Sequence, residues 1–509
     1  MIFRSILFDG PEGVSEPQES SEVLHDLGLD AIIDAIAASR RDDDLTPLFR
    51  SRPTRESTVV YRQAIMRDLD TPAIADTIAS FCDALATARR RLTLSTQAYY
   101  PLSGRRWLLD AMDTYCEAVR RLSAGLHDAA PRSSGLRALS DYVDGYSASD
   151  PFTTLAEDVR DLSSSLAAIQ VGLVLHDGSV TVRAYDGEPD YSAVVADFFA
   201  KFRQRAGGGR RTNPRPSSGM THVEAGILDR VARLNPTVFA ALEDFAARHA
   251  NAFDETLLTL EREVQFYLAY REYIEPLRVA GLPFCYPTVS TTSKHEMSRQ
   301  GFDLALARQL VTRHVPVVCN DYRLDGAERL VVVTGPNQGG KTTFARTVGQ
   351  LHYLASLGCP VPGEEARLLL CDRVFTHFER AEDVETASGK LRDDLVRMRA
   401  VLDAATPSSL IILNETFAST TVRDALVASR RIMARLSERD VLTVSVTFLD
   451  ELANFDAKTV SMVALMDAGD PDRRTFHIER RPADGVSYAL AVARRHGLTY
   501  DQLKERLPR

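Results

Sequence analysis

No stretch of this 509-residue chain approaches the roughly 18 consecutive apolar residues of a membrane-spanning helix. None of its six cysteines stands in a CxxC pair, and no Cys/His set has the spacing of a metal site. Cys82, Cys116, Cys285, Cys319, Cys359 and Cys371 therefore read as scattered reduced thiols, which excludes a disulfide scaffold. The opening MIFRSILFDGPEGVSEP is apolar only briefly before it turns acidic, unlike a signal peptide. Internal repeats are lacking as well. So is an excess of positive charge: the net charge is −9, which argues against a surface coated in nucleic acid while leaving room for a local basic face. The expected location is the cytoplasm, with no membrane partner.

What is present is an ordinary globular composition, 44% hydrophobic and 26% charged, in a chain long enough for about three domains. From about Leu24 to Ala130 the apolar residues recur at helical spacing, as in Leu29, Ile32, Ile33, Ile36 and again in Ile74, Ile78, Phe81, Leu85. Pro72 stands where a helix begins. Arg89, Arg90 and Arg91 form a short basic run, readable as a solvated helix face or a DNA contact. Asp150 to Ala168 continues helical. The run Ile169 to Tyr185 then alternates β-branched residues on both sides of Asp177-Gly178, a hairpin signal.

The next segment, Lys201 to Gly219, holds Lys201, Arg203, Arg205, Arg210, Arg211 and Arg215 without one acid, among glycines, prolines and serines. It is either a solvated linker or an arm on a phosphate backbone. From Val223 to about Ala280 the helical pattern returns. Leu257 to Leu277 runs about five turns with few breakers before Pro276. Strands and helices alternate from about Val315 onward, an α/β domain. The expected organisation is thus multidomain. A mostly helical region, 1–300, carries a small β-containing insertion at about 169–220, and an α/β domain follows at 301–509.

The strongest signal is RLVVVTGPNQGGKTTF. The buried strand Leu330 to Val333 runs into Gly335, Pro336, Asn337, Gln338, Gly339, Gly340, Lys341 and Thr342, which matches GxxxxGK[ST], and a helix pattern follows at once. Glycines let backbone N–H groups approach phosphates, the helix N-terminus adds positive charge, and Lys341 can reach the β- and γ-phosphates. The Thr342 hydroxyl suits Mg²⁺, which prefers hard oxygen ligands. ATP and Mg²⁺ are the expected ligands, with Thr343 completing the binding stretch. About 70 residues on, LIILNETFAST ends an apolar strand in Asn414-Glu415 where a P-loop ATPase carries its metal-holding Asp. Glu415 fits the residue that orients the attacking water. Asn414 can hydrogen-bond a metal-bound water but brings no charge, so weaker Mg²⁺ affinity and slower hydrolysis are expected.

These residues resemble the MutS family of DNA mismatch-repair ATPases. TGPNQGGKTT is similar to the family's TGPN-x-GGKST, Asn337 included. PVVCNDYRLDGAERLVVVTGPN resembles its approach strand, with Asn320 in the matching place. Gly358 to Phe378, Ser388 to Lys390, Ser408 to Leu426 and Ser487 to Leu498 resemble later family stretches. The likeness covers roughly residues 310 to 509. It extends weakly to Val59 to Asp70, where the family has an RQ pair opening a helix.

The resemblance implies an ABC-type P-loop ATPase on a core/lever region with a clamp-like insertion, closing as a homodimer on duplex or branched DNA in repair or recombination. It implies that Ser419, Thr420 and Thr421 act in trans as a signature loop, and that Thr447 replaces the histidine that senses the γ-phosphate. The adenine-stacking aromatic falls near Val317. No counterpart of the mismatch-reading wedge domain is found, so wedge reading of mismatches is not expected. Two other readings stay open: a nucleotide-gated switch with little hydrolysis, and an ABC-type ATPase acting on a non-DNA partner such as a ribosome.

Overall fold

The computed structural model describes residues 3–10, 19–40, 44–176, 178–187, 220–379, 390–418, 420–467, 474–483 and 498–506. The chain divides into two compact units. One holds Met1–Phe3, Pro72–Pro131 and Arg137–Glu261; the other holds Arg4–Thr71, Arg132–Leu136 and Arg262–Arg509.

In the first unit two long helices, Pro72–Gln97 and Pro101–Ala129, form an antiparallel hairpin. The first buries Ile74, Ile78, Phe81, Cys82, Leu85 and Ala88, the one-face stripe that the spacing predicts. Close approach at both ends of the hairpin depends on missing side chains. A Cβ at Gly104 would lie 2.8 Å from the Ser95 carbonyl oxygen, and one at Gly125 would lie 2.6 Å from Thr77 Cγ2. Helices Ser134–Ser147 and Asp150–Ala167 follow. Next comes the expected hairpin, Val171–His176 against Ser179–Ala184, with Gly178 at φ +80° in its turn. The downstream helical region is broken into His222–Leu234, Pro236–His249 and Glu255–Val279, the last of which belongs to the second unit from Arg262 onward. Glu255–Val279 runs three residues past Pro276, which lies in its last turn rather than ending it.

The second unit is built on a six-stranded sheet. Its strands are β1 (Leu330–Thr334), β2 (Val374–Phe378), β3 (Leu410–Asn414), β4 (Leu442–Val446), β5 (Thr459–Met466) and β6 (Arg474–Arg480). Their order across the sheet is β2-β3-β4-β1-β5-β6. All neighbours are parallel except β6, an antiparallel edge. Continuous apolar runs make up the first four residues of β1 and of β3, and all of them are buried, because parallel strands are covered on both faces. A smaller four-stranded sheet joins Thr288–Ser290, Glu365–Leu369, Glu296–Gly301 and Asn320–Leu324 in that order. The fold is therefore mixed helical and α/β, as the sequence pattern implies.

Helix α1 (Lys341–Ser356), which follows β1, is buried on nearly every side, polar residues included. Gln350 Nε2 donates to the Leu27 carbonyl at 2.8 Å and to Asp303 Oδ1 at 3.0 Å, while its Oε1 accepts from Leu304 N at 2.7 Å. Tyr353 donates to the Phe49 carbonyl, and Arg346 to that of Asp26. Asp26, Leu27 and Phe49 thus lie against this helix, and Arg4–Thr71 belongs to the same unit as the sheet. The RQ pair, Arg62-Gln63, lies inside the helix Glu56–Leu69 rather than at its start. Both side chains are buried: Arg62 donates to the Leu7 and Leu357 carbonyls, and Gln63 to that of Pro287.

His352, also on α1, donates Nδ1–H to the Val348 carbonyl and sets Nε2 3.1 Å from Glu296 Oε2. Burial disfavours the imidazolium, but the Glu296 carboxylate and the Val348 carbonyl outweigh it and hold the His352 pKa above its ordinary value. A raised folded-state pKa stabilises fully below the unfolded value of about 6.5, and this stabilisation is lost as pH rises through the folded value. Urea unfolding from pH 6 to 9 is expected to show a loss on the alkaline side that His352→Gln flattens. Parallel pH profiles for the two proteins would remove this pair from the stability account.

Candidate functional site

The candidate site lies at the C-terminal ends of β1, β3 and β4, the edge where parallel sheets bind ligands. The loop from Gly335 to Gly340 joins β1 to α1, and two of its glycines are required by geometry. Gly335 has φ +116°, and a Cβ there would lie 2.9 Å from the Ala464 carbonyl oxygen on β5. Gly340 has φ +91° and is the N-cap of α1, so any other residue would strain the point where the helix N–H groups open. Gln338 also has positive φ, at 61°.

Lys341 is buried with its ammonium inside this loop. It donates to the Gly335 carbonyl at 2.8 Å, the Pro336 carbonyl at 3.0 Å and Asn337 Oδ1 at 3.4 Å. Burial pulls its pKa below the ordinary lysine value, and the carboxylates of Glu415 and Asp450 work against that. Asn337, the loop residue that carried the resemblance, therefore helps to aim the lysine.

The second half of the site meets the first directly. Thr342 Oγ1 donates to Asn414 Oδ1 at 2.9 Å. The register explains why these residues meet across 72 positions: Asn414 pairs with Val446 on β4, and Val446 pairs with Val333 on β1. Since Oδ1 takes the threonine proton, the amide is oriented with its oxygen toward the phosphate loop. Thr342 Oγ1 is a hard oxygen donor of the kind Mg²⁺ accepts, and Asn414 Oδ1 can hold a metal-bound water. Both are neutral, which leaves water and phosphate to supply the remaining ligands. Among the described residues no cluster of His, Cys, Asp and Glu forms an all-protein metal cage.

Beyond Asn414 the chain turns sharply. Glu415 has φ +51° and Phe417 φ +63°, a strained pair pinned by the buried Phe417 ring and by Glu415 N donating to the Val446 carbonyl at 2.9 Å. The turn places Glu415 on the wall of a cavity of about 440 Å³ that also receives Gln338, Gly340, Lys341, Thr342 and Thr343. The cavity is also lined by the apolar residues Leu306, Leu310 and Val315 to Val318, and by Phe476 on β6. The volume falls in the range of about 300–1,000 Å³ usual for small-ligand sites.

Phe476 is half exposed, with φ +59°, and Asn320 holds it in place. Asn320 Nδ2 donates to the Phe476 carbonyl at 3.1 Å, and its Oδ1 accepts from Ile478 N at 2.7 Å. The role of Asn320 as a bridge to an edge strand some 150 residues away, like that of Leu306 and Phe476 as cavity walls, has no local signal.

The other expected site residues fall as follows. Thr447 is buried; its N donates to the Val333 carbonyl, and its Oγ1 accepts from Leu449 N at 3.0 Å. Thr421 caps the helix α2 (Val422–Glu438) by accepting from Asp424 N. Thr420 N donates to the Phe417 carbonyl. Ser419 lies outside the described residues, as do Lys201, Arg203, Arg205, Arg210, Arg211 and Arg215, and most of Ser388 to Lys390 and of Ser487 to Leu498. No helix among the described residues is long and apolar enough to cross a membrane.

Residues 331–505 match the family pattern described as MutS domain V. The DNA mismatch repair proteins MutS from two strains of Chloroflexus aurantiacus are each 35% identical to the chain over 119 residues, which is 23% of this chain and 12% of the relative. The chain thus spans well under two thirds of the length of the curated relatives it matches.

Proposed function

We propose that this chain, which belongs to the MutS family through residues 331–505, binds and hydrolyses ATP to control its hold on DNA. One observation carries the reading. The hydrogen bond from Thr342 Oγ1 to Asn414 Oδ1 joins a phosphate-binding loop to the end of β3, and Glu415 faces the same cavity as Lys341.

In this reading the adenine lies against the apolar wall and the triphosphate in the loop from Gly335 to Gly340. Lys341 releases its loop oxygens to hold phosphate, and the N-terminus of α1 adds its partial charge. Mg²⁺, held through Thr342 and a water on Asn414, supplies charge neutralisation. Glu415 orients a water and accepts its proton as the water oxygen bonds to the γ-phosphorus and the bond to ADP breaks. Ser419 to Thr421 act on the nucleotide of a second copy, and Thr447 senses the γ-phosphate. Duplex or branched DNA is the partner, with Lys201, Arg203, Arg205, Arg210, Arg211 and Arg215 on its phosphates, in a cytoplasmic homodimer.

The test is steady-state phosphate release together with DNA binding across a salt series, with and without ATP. Turnover that vanishes in Lys341→Ala is expected, as is DNA affinity that falls steeply with salt and changes with nucleotide. DNA affinity that is absent at every salt concentration would move the reading to a non-DNA partner.

Asn414 favours a second reading, a nucleotide-gated switch with little hydrolysis. The pair Thr342–Asn414 is neutral where the metal end of the strand needs charge. Asn414→Asp is expected to tighten the Mg²⁺ dependence of ATP binding by about tenfold, the effect of roughly one charge-assisted contact. Titration of Mg²⁺ at fixed ATP reads this directly, and an unchanged midpoint would remove Asn414 from the metal site.

A further inference from the structure

The closed end of the helical hairpin in the first unit carries a feature that ATP chemistry does not use. From Ala84 to Leu109 the sequence contains five arginines and no carboxylate, in a chain whose net charge is −9. This stretch is the end of Pro72–Gln97, the turn, and the start of Pro101–Ala129. A turn between helices is usually built from small or polar residues. Here it is Tyr99-Tyr100-Pro101, and Tyr99 is 87% exposed. Trp107, the chain's single tryptophan, is 36% exposed near the same end. Gly104 meets Ser95 across the hairpin, so Trp107 is level with Leu92, between Arg90 and Leu94.

Charge at this end is only partly compensated. Arg89 pairs with Glu261, Arg105 with Glu243 and Arg106 with Asp110, while Arg91 donates to the Asp110 carbonyl and to Thr114. Arg90 is exposed, and Arg106 keeps half of its side chain in solvent. Tyr100 packs edge-on against Tyr99, and its hydroxyl lies 3.0 Å from His222 Nδ1. His222 follows, in sequence, the other acid-free basic stretch, Lys201 to Gly219.

We infer that this hairpin end is a contact surface for unpaired nucleic-acid bases, which stack on Tyr99 and Trp107 while Arg90 and Arg106 meet the phosphates. Exposed rings beside arginines suit single strands because every base has a stacking face and every linkage a charge. An acidic polypeptide would answer the charge but not the rings. The inference rests on the DNA-binding reading above and goes beyond it by naming contact residues other than Lys201 to Arg215, and a strand state.

Trp107 makes the test local. The full chain is titrated with an oligothymidylate of about 20 nucleotides, with a duplex of equal length and with polyglutamate. Trp107 emission is followed beside the anisotropy of labelled DNA. Quenching of Trp107 that saturates with single-strand binding is expected. The triple variant Tyr99→Ser, Arg90→Gln, Arg106→Gln should weaken single-strand binding about tenfold or more and lower the salt slope, while ATP binding stays unchanged. If DNA binds without quenching and the variant binds it equally, this surface is not used, and the DNA-binding reading survives. Quenching by duplex alone or by polyglutamate alone also overturns the inference. If no DNA binds at all, both readings fall.

Discussion

Lys341→Ala is expected to lower ATP affinity by at least about 100-fold, close to 3 kcal/mol, at the scale of one or two charge-assisted hydrogen bonds removed from a buried site. The structure explains the size. The ammonium is buried and fully engaged by the Gly335 and Pro336 carbonyls and by Asn337 Oδ1, so no water shell supports it. A triphosphate offers it stronger oxygen partners than neutral carbonyls do. Burial already pulls its pKa down, so added negative charge is strongly favoured there. Alanine removes a charge whose desolvation was a cost, so the fold is expected to keep its thermal midpoint within a few degrees. Calorimetric titration with ATP, with thermal unfolding as the control, checks both halves. An intact affinity in a folded variant would place the nucleotide elsewhere.

Glu415→Gln is expected to leave ATP binding within a few-fold of the parent and to reduce turnover by about 10²- to 10³-fold, in line with the loss of a positioned general base. Glutamine keeps the size and hydrogen-bonding reach of glutamate but cannot accept the water's proton. It also meets the same backbone demand, φ +51° at a position pinned to the Val446 carbonyl, so the turn should persist. Single-turnover phosphate release separates the steps: binding measured first, chemistry second. Equal turnover in parent and variant would leave Glu415 with a structural part only. The strain at Glu415 and Phe417 supports the catalytic part, since two left-handed non-glycine residues in three positions are maintained only where the surroundings impose them.

The apolar lining of the cavity bears on specificity. Leu306, Leu310 and Val315 to Val318 offer apolar surface suited to a flat base, with the buried Asp303 also lining the cavity. The position expected from the resemblance to hold an aromatic is Val317, and the exposed ring lining the cavity is instead Phe476, brought in from the β6 edge strand by the Asn320 amide.

Elements whose signal is local could be read directly from the letters. The strand Leu330–Thr334, the glycine loop and the helix from Lys341 follow one another within about 25 residues, and each has its own periodicity or steric requirement. The Asp177-Gly178 hairpin and the Ile74, Ile78, Phe81, Leu85 stripe were legible for the same reason. The spacing of the two motifs assigns Thr342 and Asn414 to one site; that the two side chains hydrogen-bond directly depends on the strand order β3-β4-β1.

What tertiary structure alone decided is non-local. That Leu27 and Phe49 lie against helix α1 depends on Gln350 reaching the one and Tyr353 the other, contacts across roughly 300 positions that leave no pattern along the chain. The division into units at Thr71, Pro131 and Glu261 has the same origin. Spacing along a chain encodes which face a side chain takes, because helix and strand periods are intrinsic to the backbone. It does not encode which distant face will cover it, because that choice is made by burial summed over the whole fold.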